Sequence, residues 1–111
     1  MKKLWIDDIR LPPEGWDWAK TSKEALAMVR TREYDEISFD HDLGGEDTSY
    51  PVVVALEDGS KFGYYETPIK WHIHSMNPVG RDRLKEGLRQ CDKYWEELRL
   101  FREKGIYPKD K

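Results

Sequence analysis

Apolar residues in this chain come in short runs, and the spacing within each run separates strands from helices. Residues 3–6, 36–40 and 69–75 are apolar runs of strand length, and 16–20 is a weaker one. Thr21-Ser22-Lys23-Glu24 is a capping box. It predicts a helix with Ala25, Leu26 and Val29 on one face, ending near Arg32. Pro51 suits a first helical turn, Val52, Val53 and Leu56 supply an apolar face, and Gly59 is the expected stop. Val52-Val53-Val54 also has strand propensity, so this element is the most ambiguous. Leu84, Leu88, Cys91, Trp95, Leu98 and Phe101 recur every three or four residues and predict a long helix from about Val79 to Glu103. Gly105 and Pro108 then end it.

The connections are as informative as the elements. Pro12-Pro13 disfavours a helix over residues 7–15. Gly44-Gly45 makes 43–49 a loop, and 60–68 reads as a loop or small hairpin. The order strand, strand, helix, strand, helix, strand, helix implies an α/β fold with a mostly parallel sheet. Right-handed crossovers bring the carboxyl ends of such strands to one edge, where ligands bind. Trp5, Trp71 and Trp95 fall at expected core positions, whereas Trp16 or Trp18 is a candidate to flank a site.

Composition narrows the class. The 111 residues suit one domain, taken as 1–104 with a frayed tail over 105–111. A net charge of −3 argues against broad binding to duplex nucleic acid but leaves room for a local basic face. Cys91 is the single cysteine, which fits a reducing compartment, and the expected location is cytoplasmic. No apolar stretch approaches the ~18 residues of a membrane span.

Three of the strands end on reactive side chains: Asp7-Asp8-Ile9-Arg10, Asp40-His41-Asp42 and His74-Ser75. Asp7, Asp8 and Asp40 would converge if the first and third strands are neighbours. Clustered carboxylates repel one another unless a cation or a shared proton intervenes, so Mg²⁺ or Mn²⁺ is the expected cofactor, the alternative being that Asp7 or Asp8 only caps a turn. Asp42 either joins them or hydrogen-bonds the Gly44-Gly45 loop. His41 and His74 suit proton transfer near neutral pH. His72 shares a strand face with His74 but lies deeper, and a structural role suits it better. Arg10 and Arg81 offer forked donors to phosphate, or else surface ion pairs. Ser75 adds a hydroxyl, and Gly80 either admits a ligand to the backbone or serves a turn. The stripe of the last helix outruns a small sheet and is a candidate homodimer contact.

Asp7-Asp8, the stretch from Trp18 to Asp40, and Ser75 resemble response-regulator receiver domains. The chain departs from them in lacking the first helix and a lysine-bearing fifth strand, and in adding His41, His74 and Arg81. Those departures are similar to the cyclic-phosphate processing receiver-like domains, through Asp7-Asp8-Ile9-Arg10, Trp16-Asp17-Trp18-Ala19, Ser38-Phe39-Asp40-His41-Asp42-Leu43-Gly44 and His74 to Arg81. The resemblance spans roughly residues 4 to 90. It implies a receiver-like (flavodoxin-like) three-layer sandwich with a short four-stranded sheet, without the first helix and with a long C-terminal helix. It also implies phosphoesterase action on a cyclic phosphate of a nucleotide or an RNA end, in an RNA-repair setting. In that role Asp7, Asp8 and Asp40 hold the metal, His41, His74 and Asp40 are catalytic, and Arg10, Ser75, Asn77 and Arg81 bind substrate. Two other roles stay open, a non-catalytic regulatory or partner-binding domain and a module that sequesters a cyclic nucleotide.

Overall fold

The computed structural model describes residues 1–63, 65 and 68–105. The strands are β1 (Lys2–Ile6), β2 (Asp17–Ala19), β3 (Tyr34–Phe39) and β4 (Lys70–Ile73), all parallel, in the order β2-β1-β3-β4. The helices are α1 (Ser22–Val29), α2 (Tyr50–Lys61) and α3 (Pro78–Lys104). This is the receiver-like α/β fold with a long C-terminal helix. None of the described helices is long and apolar enough to cross a membrane.

The layering differs from the expected sandwich. From β2 to β3, and again from β3 to β4, the chain steps across the sheet in one direction. Right-handed crossovers in one direction lay their helices on one face. Accordingly α1 packs on α2 and α2 on α3, over a single core. The step from β1 to β2 runs the other way, and that connection has no helix. The missing helix is therefore the one that would cover the second face, and the described residues build two layers rather than three.

Under the helices lie Leu4, Ile6, Ile37 and Phe39, with no exposed surface, packed with Val52, Leu56, Leu84 and Leu88. Burial pushes the Cys91 thiol up to about 12, so it behaves as a small apolar residue. Strand alternation turns Trp5 away from Leu4 and Ile6, onto the open face, so it is not a residue of this core. Trp71 does face the helices, its indole donating to Asp92 at 3.1 Å, and Trp95 is buried in the core from α3.

Local chemistry accounts for the helix ends. Thr21 Oγ1 accepts from the Glu24 N–H at 3.1 Å, and Glu24 Oε1 accepts from Lys20 N–H at 2.8 Å, one residue earlier than the usual box. Gly59 does not end α2, which continues to Lys61. It is a packing glycine, since a Cβ there would sit 2.3 Å from Tyr65 Cε2. Gly63 follows the helix with φ of +73°, a conformation glycine adopts freely. The expected 60–68 loop or hairpin includes residues 64, 66 and 67, and the expected tail includes 106–111. Both sets lie outside the described residues.

Candidate functional site

β1 and β3 are neighbours, with Ile6 paired to Phe39, so the residues after each strand emerge side by side. Asp7, Asp8 and Asp40 meet there, and one carboxylate oxygen from each lies within 4.8 Å of the others. A tight turn aims Asp7: its Oδ1 accepts from the N–H groups of Ile9 and Arg10, both at 2.9 Å. Its carbonyl accepts from the Trp18 indole at 2.7 Å, which ties the turn to β2. Gly44 passes so close to Asp8 that a Cβ there would lie 3.2 Å from Oδ2.

His74 joins this cluster from the end of β4. Its Nε2 lies 3.0 Å from Asp7 Oδ2 and its Nδ1 2.8 Å from Ser38 Oγ. The ring stacks on Trp5 with centroids 3.9 Å apart and planes 4° from parallel. Ser38 makes this possible. It sits between β1 and β4 on the open face, small enough for Trp5 and His74 to close above it. Burial holds the imidazole below its ordinary range, against the pull of Asp7 and Asp40. The partners fit a neutral ring that donates Nε2–H to Asp7 and accepts the Ser38 hydroxyl at Nδ1. Sequence reasoning gave Ser38 no role, although its place in β3 two residues before Asp40 was a usable signal.

His41 has different surroundings. Its ring lies against the first turn of α3, where a Cβ on Gly80 would come within 2.4 Å of Cγ. Its Nδ1 is 3.1 Å from Asp42 Oδ1. The structure thus brings His74 among the carboxylates but does not face the two histidines toward one another. Asp42 stands outside the group of three carboxylates, and its Oδ2 accepts from Asn77 Nδ2 at 3.1 Å, while Asn77 Oδ1 caps α3 through Gly80 N–H at 3.1 Å. His72 Nε2 lies 2.6 Å from Glu36 Oε2. Its ring is more exposed than that of His74 rather than deeper, because β4 turns it onto the uncovered face of the sheet.

The two arginines grip the end of β4. Arg10 donates to the His74 carbonyl at 2.7 Å, and Arg81 to the carbonyls of Ile73 and Ser75 at 3.3 and 3.1 Å. Each contact uses one terminal nitrogen, so further N–H donors remain on both forks. Ser75 is buried and accepts the Asn77 N–H at 3.1 Å. Exposed Ile9, Leu11 and Met76 lie on the two loops that carry these groups, and exposed Val79 lies in the first turn of α3.

Residues 2–90 match the model of the cyclic-phosphate processing receiver domain. The chain belongs to that family. Neither the curated proteins nor the solved structures yielded a match. In this receiver domain β4 is an edge strand and leads straight into α3, so the described residues contain no fifth strand.

The electrostatics of the receiver-domain site favour a cation. Burial raises Asp40 above the ordinary carboxylate range, and the neighbouring Asp7 charge adds to this. Burial pushes Asp7 upward too, but the two backbone donors and His74 outweigh it and hold Asp7 below that range. Three carboxylates at one edge form a hard oxygen donor set of the kind that can hold a metal ion. Asp7, Asp8 and Asp40 are the residues that can hold it.

Proposed function

We propose that this receiver domain hydrolyses a cyclic phosphate carried by a nucleotide or an RNA end. The observation that carries the reading is the meeting of Asp7, Asp8 and Asp40 beyond β1 and β3. Arginine donors lie at the adjoining end of β4. In the reaction, water oxygen forms a bond to phosphorus and one ring P–O bond breaks. The leaving oxygen takes a proton, and the product is a phosphomonoester.

The free donors of Arg10 and Arg81 would hold the non-bridging oxygens. Ser75 would fix Asp40 through its hydroxyl, and Asn77 would hold the loop that presents Asp42 and His41. His41 is the better proton carrier, because its Nε2 has no recorded partner among the described residues. His74 is better suited to positioning Asp7, since both of its ring nitrogens are already engaged. A divalent cation at the three carboxylates would supply charge stabilisation to the phosphoryl oxygens in the transition state.

The test is a panel of 2′,3′-cyclic nucleotides and RNA ends with Mg²⁺, Mn²⁺ or EDTA, with product followed by mass. Turnover is expected with metal, and His41→Ala should lower it by about 10²- to 10⁴-fold. A folded protein inert on the whole panel overturns the reading. The full engagement of His74 favours one second reading, capture of the cyclic phosphate without turnover, which would show as saturable binding with no product.

A further inference from the structure

The face of the sheet that no helix covers has a composition unlike the rest of the chain. In strand order it presents Trp16, Trp18 and Lys20 from β2 and its flanks, and Lys3 and Trp5 from β1. Glu36 and Ser38 follow from β3, then Lys70 and His72 from β4. Three lysines thus stand against one glutamate, on a protein whose net charge is −3. The face is also contiguous with the candidate site, because Trp5 stacks on His74 and His74 bonds Asp7. From Asp40 to Glu36 it extends about 13 Å along the strands, and across four strands about 14 Å.

The aromatic residues on this face divide into two kinds. Trp5 and Trp18 are pinned, their indole N–H groups bonded to the carbonyls of Arg10 and Asp7. Trp16 lies across the face, edge-on to Trp5 at 6.1 Å and to His72 at 6.5 Å, with Lys3 Nζ 5.6 Å from its ring centre. No hydrogen bond to its indole is recorded among the described residues, and it is only partly buried. Lys20 lies over Trp18 at 4.3 Å. Aromatic rings with interleaved lysines at a phosphate site are the parts of a single-strand binding surface, where bases stack and the backbone meets cations.

We infer that this open face binds the single-stranded polynucleotide leading to the cyclic phosphate, with bases stacked on Trp16 and backbone phosphates along Lys3, Lys20 and Lys70. A 2′,3′-cyclic phosphate requires a 2′-hydroxyl, so the strand is RNA. The inference rests on the proposed cyclic-phosphate reading for the position of the strand's end, but the strand surface is measurable without turnover. It selects an RNA end over a free nucleotide as substrate.

The experiment measures anisotropy of a fluorescent six-nucleotide RNA ending in a plain 3′-phosphate, beside the matching mononucleotide as competitor. The protein should bind the oligomer at least about tenfold more tightly than the mononucleotide. Neutralising three phosphates gives a slope of log K against log salt near about −2, or about a tenfold loss from ~50 to ~150 mM salt. Trp16→Ala should weaken the oligomer about fivefold or more. The surface substitutions Lys3→Gln and Lys70→Gln, which leave the indole hydrogen bonds of Trp5 and Trp18 in place, should bring the slope toward zero and erase the oligomer's advantage. Equal affinity for oligomer and mononucleotide, or a flat salt response, overturns the inference. So does a dimer in solution that Trp16→Ala converts to monomer, because the face is then a protein contact. Oligomer binding with no turnover on any cyclic phosphate would instead refute the hydrolytic reading and leave the strand surface standing.

Discussion

The two faces of one sheet solve the burial problem differently. On the helix side, Leu4, Ile6, Ile37 and Phe39 are sealed by aliphatic residues from three helices. On the other side the cover comes from side chains alone: Trp5, Trp16, Trp18 and the imidazoles, with indole hydrogen bonds at Trp5 and Trp18 and lysine ammonium groups over Trp16 and Trp18. Parallel sheets ordinarily have helices on both faces. A wet face of this kind contributes less to stability but can carry charged and aromatic chemistry that a helix would hide. The acids stand at the rim where the two environments meet, with His74 on the open side and His41 on the helical side.

The contrast can be broken by substitution. Phe39→Ala, on the sealed face, should cost about 3–5 kcal/mol in urea unfolding, against about 1 kcal/mol for partly exposed Trp16→Ala. Equal costs would show that the aromatic layer is a second core. Gly80→Ala drives a Cβ into His41 and should cost about 1–3 kcal/mol, while also displacing that imidazole. Retention of full stability and full turnover would remove His41 from any positioned role.

At the rim, Asp40→Asn relieves repulsion with Asp7 and should abolish stabilisation by Mg²⁺. In the unsubstituted protein that stabilisation should reach about 1.4 kcal/mol at a free concentration ten times Kd. A thermal shift that persists in the variant would move the cation elsewhere. The smallest effect belongs to Glu36. Its hydrogen bond to His72, with nearby Lys70 and Lys3, holds its carboxyl below the ordinary range. Its contribution is therefore present above about pH 4.3 and is lost as the pH falls through the lowered folded value. Glu36→Gln should flatten that part of the acid limb, and an unchanged limb would remove the pair from the open face's stability.

Much of this arrangement is legible in the residues themselves, because period governs which side chains share a face. The stripe from Leu84 to Trp95 marks the buried side of α3, and Thr21 with Glu24 marks the start of α1. The convergence of Asp7, Asp8 and Asp40 follows once the first and third strands are adjacent. The same alternation already sets Trp5 opposite to Leu4 and Ile6, so its open-face position was readable and was masked by the habit of burying tryptophan. The layer count depends on the direction of each crossover, which pattern does not carry. The engagement of both His74 nitrogens and the grip of Arg81 on carbonyls depend on three-dimensional partners from distant segments. Gly59 looked like a helix stop because glycine often is one, whereas here the space it leaves is filled by the Tyr65 ring.

The grip of Arg81 bears on self-assembly. A sheet that ends at β4 exposes a ladder of backbone groups to which another chain could add. Along a strand, backbone groups point alternately to the two sides. The His74 N–H points inward, to the Phe39 carbonyl, so the carbonyls of Ile73 and Ser75 point outward. Those two are the ones that Arg81 occupies. One guanidinium thus blunts the free edge with a fixed positive charge, and a four-residue strand offers little ladder beyond it. Among the described residues the sheet thus does without a fifth strand, and a side chain guards the edge that such a strand would cover.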